Sequence, residues 1–186
     1  ADTRLARPHI EHMNEVYALL KKEFAGSRLC ANRANLTDAY IEFEYIDGDT
    51  LEAVLDACLA NDDKDGFAEL VKQYASEIRQ VYLSEQSVCG ERSQDEIEQY
   101  QKAFGEITLP VSVPFSKGVD IDLIFSNIMV QGNTWIVIDY EWTFDFPVPV
   151  DFLLWRAGKV YLENYANRAS IDETEMNRML GVTPEN

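Results

Sequence analysis

Two short runs of β-branched and apolar residues, Ile128-Met-Val130 and Trp135-Ile-Val-Ile138, stand either side of Gln131-Gly-Asn-Thr134. A Gly-Asn pair between such runs signals a hairpin, because a two-residue turn needs backbone conformations that these residues tolerate. This is the tightest constraint in the chain, since so short a turn also sets the strand register. With Gly132 and Asn133 in the turn, Val130 faces Trp135, and Asn127 falls opposite Ile138, one residue short of Asp139. The open end of the ribbon therefore gathers an amide and a carboxylate. Oxygen donors of those kinds suit a hard cation such as Mg²⁺, which keeps positions for phosphate and water. Asp122, five residues before Asn127, falls in the loop feeding the first strand, where it could orient a substrate hydroxyl. The competing reading is a surface hairpin with polar ends, because Asp and Asn are common at strand boundaries.

The order Asp-x4-Asn, short hairpin, then an Asp ending an Ile-Val-Ile strand resembles the catalytic and metal-binding segment of the protein-kinase-like superfamily, especially its aminoglycoside and choline kinase branch. The resemblance implies that Asp122 positions the acceptor hydroxyl, while Asn127 and Asp139 hold magnesium on the phosphates of ATP. Two positions depart from the pattern. Asp120 stands where the family usually has His, which bears on how the catalytic loop is braced. Tyr140-Glu141 follow the metal Asp where protein kinases have Phe-Gly, a variant closer to the small-molecule kinases.

Upstream, Ala39-Tyr-Ile-Glu-Phe-Glu-Tyr45 alternates well enough for a strand, Ile46-Asp-Gly-Asp49 reads as a turn, and Leu51 to Ala60 reads as a helix. Asp49 or Thr50 can cap that helix, with Glu52 placed as in a capping box after Asp49. The unit is similar to the hinge between kinase lobes, which implies Glu44, Tyr45 and Ile46 as the residues whose backbone meets adenine. Phe67, Leu70, Val71, Tyr74, Ile78, Val81 and Tyr82 recur at spacings of three and four, the stripe of a core helix from about Gly66 to Leu83. An earlier helix carries Ile10, Met13, Val16, Tyr17, Leu20 and Phe24 on one face, with Pro8 at its start. By position it looks like the regulatory helix of the small lobe, with Glu11 or Glu15 as the residue that would pair with an upstream Lys.

Residues 84 to 115 form an insertion relative to the kinase pattern, with a polar helix around Asp95 to Phe104 and a Pro-punctuated stretch from Leu109 to Phe115. A solvent-facing elaboration is the default reading, an acceptor-binding insertion the alternative. Past the hairpin, Tyr140 to Arg156 is rich in aromatics and proline, predicting an irregular packed segment and then a helix from about Val150 to Tyr165. Its Tyr-Glu-Trp followed by Phe-Pro-x-Pro resembles kinase-like domains attached to bacterial cell-surface glycan enzymes. Trp142, Trp155 and Arg156 are candidates for a specific role, with core filling as the default.

Only seven residues precede Pro8, too few for a Gly-rich loop and a Lys-bearing strand. The chain begins with Ala, so the expectation is a piece of a longer protein, whose upstream strands or neighbouring domain would complete the nucleotide site. Alone it should show little or no turnover, because phosphoryl transfer needs positioning and charge neutralisation from both sides.

Charge narrows the partners. Six Lys or Arg against four Asp or Glu fall in residues 1 to 33, leaving ten against twenty-nine in the remainder of a chain with formal net charge −17. Such a surface repels phosphate backbones, which argues against nucleic acid and anionic membranes as partners. No apolar run is long enough to span a bilayer. Cys30, Cys58 and Cys89 are odd in number and widely spaced, which suits buried thiols in a reducing, cytoplasmic setting. His9 and His12 have no third ligand at metal spacing.

The expected fold is α+β: a mostly helical kinase-like large lobe over residues 46–186 carrying the catalytic-loop hairpin, with residues 1–45 as a remnant of the small lobe. The implied activity is magnesium-dependent transfer of phosphate from ATP to a small hydroxylated or sugar acceptor. The alternative is a non-catalytic module scaffolding or regulating an adjacent glycosyltransferase or methyltransferase domain. Asp120-Ile-Asp122 could also mimic a glycosyltransferase metal motif, though no nucleotide-sugar fold precedes it.

Overall fold

The computed structural model describes residues 3–38, 40–83, 93–106, 113–163 and 168–182, with side chains from residue 7 onward. The first helix, α1 (Thr3–Glu23), buries Met13, Val16, Leu20 and Phe24 along one face. It reaches back beyond its expected start, so Pro8 lies inside the helix. Proline there costs about 3 kcal/mol. Each buried side chain on the downstream face returns about 1.5–3 kcal/mol, so the helix survives its proline.

Three short strands follow: β1 (Leu29–Ala31), β2 (Ala34–Leu36) and β3 (Ile41–Phe43). β2 and β3 pair antiparallel, with Asn35 opposite Glu42. Of the strand expected over Ala39 to Tyr45, Ala39 lies outside the described residues, Ile41–Phe43 forms, and Tyr40, Glu44 and Tyr45 fall outside it because β2 offers only three partners. α2 (Leu51–Ala60) is capped by Thr50, whose Oγ1 accepts the Ala53 N–H at 3.1 Å. Glu52 completes no capping box; its carboxylate accepts from Arg168 at 2.7 Å instead. α3 (Lys64–Tyr82) buries Phe67, Val71, Tyr74, Ile78 and Tyr82, the predicted core stripe, with Leu70 and Val81 at its flanks.

α4 (Gln94–Phe104) opens on a full capping box between Ser93 and Glu96. Most of its residues face solvent, as expected, but one face docks on the aromatic segment downstream. Tyr100 is buried, and Phe104 meets Phe144, Phe146 and Phe152 edge-on, with ring centroids 5.6 to 6.1 Å apart. Most of the Leu109 to Phe115 stretch lies outside the described residues.

β4 (Phe115–Ser116) and β5 (Val119–Asp120) lead to a 3-10 turn at Phe125–Asn127 and then to the hairpin, β6 (Ile128–Gln131) and β7 (Thr134–Val137). Val130 faces Trp135, as the two-residue turn requires. Gly132 has φ +58 while Asn133 is outside the positive region, the pattern of a turn that takes glycine first. β8 (Thr143–Phe144), β9 (Val148–Pro149), α5 (Val150–Glu163) and α6 (Glu173–Leu180) complete the described chain. β7 is the centre of a three-stranded sheet, with β6 antiparallel on one side and β1 parallel on the other. β4 pairs with β9 and β5 with β8, both antiparallel. A Cβ at Gly158 of α5 would lie 2.8 Å from Leu180 and Met176 of α6, so glycine permits the close approach of the two helices.

Arg168, which is 1% exposed, ties the helices together. It donates to both carboxylate oxygens of Asp56 at 2.8 and 2.6 Å, to Glu52, and to the Tyr161 carbonyl at 2.6 Å. Its guanidinium lies over the Tyr161 ring, whose hydroxyl donates to Asp56 at 2.9 Å. α2 and α5 are thus joined through one buried cation. The described residues form an α+β fold of six helices and four small sheets. Among them no helix is long and apolar enough to cross a membrane. Of the thiols expected to be buried, Cys30 is exposed, because it points away from the core on β1, and Cys58 is half-buried.

Candidate active site

The loop from Asp120 to Asn127 is held by side chains at almost every step. β5 ends at Asp120, paired with Thr143, and the Ile121 N–H then donates to the Trp142 carbonyl at 3.1 Å. The Asp122 N–H donates to Asp120 Oδ1 at 3.0 Å. From α5, Arg156 sends Nε to the Ile121 carbonyl at 3.0 Å and Nη2 to Asp122 Oδ1. Asn127 Nδ2 donates to the Asp122 carbonyl at 3.1 Å, and the buried Tyr74 hydroxyl donates to the Leu123 carbonyl. Asp122 is therefore fixed through its N–H, its carbonyl and one carboxylate oxygen, each by a different residue.

The hairpin joins this loop to Asp139. The Ile138 N–H donates to the Asn127 carbonyl at 2.8 Å, so Asn127 stands opposite Ile138 as its register demands. Asp139 follows with φ +55. Outside glycine that conformation is uncommon and tends to mark tight turns or functional positions. Asp62, at the same φ, lies in the tight turn between α2 and α3; Asp139 instead lies two residues past the end of β7, and is exposed. Because the Asn127 amide nitrogen is committed to Asp122, its Oδ1 is the atom left for a ligand. Among the described residues no three His, Cys, Asp or Glu side chains are grouped to hold a metal. An amide oxygen with one carboxylate would fit Mg²⁺ if phosphate and water filled the remaining positions.

Asp120 is fully buried and its Oδ2 has no hydrogen-bond partner among the described residues. Burial pushes its carboxyl up to about 8; the bond from the Asp122 N–H and the Arg156 charge oppose this, while the Asp122 and Asp139 charges add to it. The Asp120 carboxyl, Arg156 and Asn127 together brace the loop around Asp122.

The hinge candidates are placed unequally. The Glu44 N–H donates to the Arg33 carbonyl at 3.0 Å, and the Glu44 carbonyl accepts from Asn32 Nδ2 at 3.1 Å. Tyr45 is 88% exposed, and among the described residues the backbone groups of Tyr45 and Ile46 make no hydrogen bond. The following turn runs along the hairpin: Val130 N–H donates to the Asp49 carbonyl at 2.9 Å and Gln131 Nε2 to the Asp47 carbonyl at 3.1 Å. The two segments are therefore neighbours in space. On α1, Glu11 pairs with Arg7 at 2.7 Å, Glu15 is exposed, and His9 lies 3.8 Å from Glu141.

Trp142 and Trp155 are 52% and 37% exposed, so neither fills the core as aromatics usually do. Arg156, named from sequence as a candidate for a specific role with a structural one as the default, anchors Asp122. Arg168 and the burial of Asp120 had no sequence signal, since their surroundings come from distant segments. No protein-family model matches the chain, and no curated protein matches it.

Proposed function

We propose that the chain is a kinase-like large lobe with a remnant of the small lobe, transferring phosphate from ATP to a small hydroxylated or sugar acceptor within a larger glycan-assembly protein. The observation that carries this reading is the hydrogen-bonded unit linking Asp122, Asn127 and Ile138, the residue before Asp139. Asp122 would accept the acceptor's proton on its uncommitted oxygen. Asn127 Oδ1 and the Asp139 carboxylate would hold magnesium, which when bound ties and neutralises the nucleotide phosphates. The backbone groups of Tyr45 and Ile46, without a hydrogen bond among the described residues, support an adenine contact there, while Glu44, spent on Arg33 and Asn32, contributes position.

Magnesium with ATP at about a hundred times its Kd should stabilise the fold by about 2.7 kcal/mol. For a chain of this size that is a rise in Tm of about 5–10 °C. Asp139→Ala should abolish the rise. A wild-type Tm that ignores magnesium and ATP would remove the basis for nucleotide binding.

The rival reading is a non-catalytic module that scaffolds or regulates an adjacent glycosyltransferase or methyltransferase domain. The Arg156 pairing favours it, because one Asp122 carboxylate oxygen is already occupied by a guanidinium and only the other is left to meet an acceptor. On that reading Asp122→Ala leaves association with the neighbouring domain intact and no phosphate transfer is found.

A further inference from the structure

We propose that Arg156 is the cation that meets the transferring phosphoryl group, one edge of its guanidinium locking Asp122 and the other neutralising charge on the phosphate. This inference rests on the phosphotransfer reading above. Phosphoryl transfer spreads negative charge over the equatorial oxygens, and catalysis depends on cations already aimed at them. The loop from Asp120 to Asn127 contains no Lys or Arg. Among the described residues, Arg156 is the only cationic side chain paired with Asp122, Asn127 or Asp139.

The fold delivers this residue rigidly. Leu153, Leu154 and Ala157 are buried and seat α5, while the Arg156 side chain stays 33% exposed. Its Nε and Nη2 are committed to the Ile121 carbonyl and the Asp122 carboxylate. Nη1 has no partner among the described residues, so both of its N–H groups remain available beside the acid. A planar guanidinium can divide its donors between two acceptors in this way. A lysine ammonium, a single compact point of charge, cannot span both.

In the transfer step the acceptor hydroxyl oxygen forms a bond to the γ-phosphorus as the bond from that phosphorus to the β–γ bridging oxygen breaks. Asp122 takes the hydroxyl proton, and ADP departs with the electron pair of the broken bond. Arg156 exchanges no proton; it stabilises the phosphoryl group in flight.

The test titrates the full chain with magnesium and ADP, with and without aluminium fluoride, which mimics the transferring group. In the wild type, fluoride should tighten MgADP binding by about a hundredfold or more, the scale of one preorganised donor. Arg156→Ala and Arg156→Lys should still bind MgADP but lose that tightening. Free guanidinium added to the Ala variant should restore part of it, which a purely structural role would not predict. If Arg156→Ala does not fold, Arg156→Lys carries the same comparison. Undiminished tightening in the variant that folds overturns the inference and leaves the phosphotransfer reading standing. A wild type that binds MgADP in neither condition overturns that reading, and this inference with it.

Discussion

Replacing Arg168 with Met keeps most of the aliphatic stem and deletes the guanidinium from the junction of α2 and α5. The change removes two bonds to Asp56, one to Glu52 and one to the Tyr161 carbonyl, with the stacking on the Tyr161 ring. Breaking a buried ion pair costs about 3–5 kcal/mol when the orphaned charge is sealed in. The Glu52 and Asp56 side chains keep 17% and 30% exposure, so water can reach both carboxylates. The lower end, about 3 kcal/mol, is the expected loss, equivalent to a fall in Tm of about 6–12 °C. The effect should depend on pH in one direction. Burial favours a raised Asp56 pKa, but hydrogen bonds from Arg168 and Tyr161 and the Arg168 charge together lower it. A carboxyl depressed on folding contributes stability above its unfolded value, about 3.9, and loses that contribution as pH falls through the folded value. The gap between wild type and Arg168→Met should therefore be complete at neutral pH and close in acid. Calorimetry across that range is the assay. A variant within about 1 kcal/mol of wild type at pH 7, where surface changes ordinarily fall, would refute the reasoning.

Asp120 should show the opposite sign. Its carboxyl is pushed up to about 8 in the folded chain, so its contribution is complete below about pH 4 and drains away as pH rises toward 8. Asp120→Asn, uncharged and of the same shape, should gain on wild type across that window in melting experiments; parallel profiles would contradict the burial argument. Thr50→Ala should cost about 1 kcal/mol by removing the α2 cap, and Thr50→Ser should recover most of it. An unchanged Tm for the Ala variant would mean that α2 is held without its cap.

The hairpin was legible in the sequence because turn chemistry and strand register are coupled over a few residues: Gly132 and Asn133 determine that Asn127 meets Ile138. The stripes of α1 and α3 were legible for a similar reason, since helical period is a local property. Arg156 could be singled out, but its contact with Asp122 could not, because the two lie 34 residues apart and no spacing rule connects a helix flank to a loop that far back. Tyr100 and Phe104 fall in a stretch that reads as a polar helix, and only the fold brings Phe144, Phe146 and Phe152 to them. The reach of Arg168 to Asp56 spans 112 residues, which hides a buried cation inside a polar sequence. At Pro8 a local rule simply lost to a longer apolar face.

The parallel contact of β1 with β7 sets an order of events during synthesis. Leu29 aligns with Trp135 and Ala31 with Val137, so an early strand must wait for a partner made more than a hundred residues later. Closing so long a loop is entropically unfavourable, which makes the central sheet a late and slow step for a nascent chain leaving the ribosome. Until then the edge of β7 stays unpaired beside apolar Trp135 and Val137. Low concentration or a chaperone should accordingly improve the yield of refolded protein more than lengthening the refolding time does.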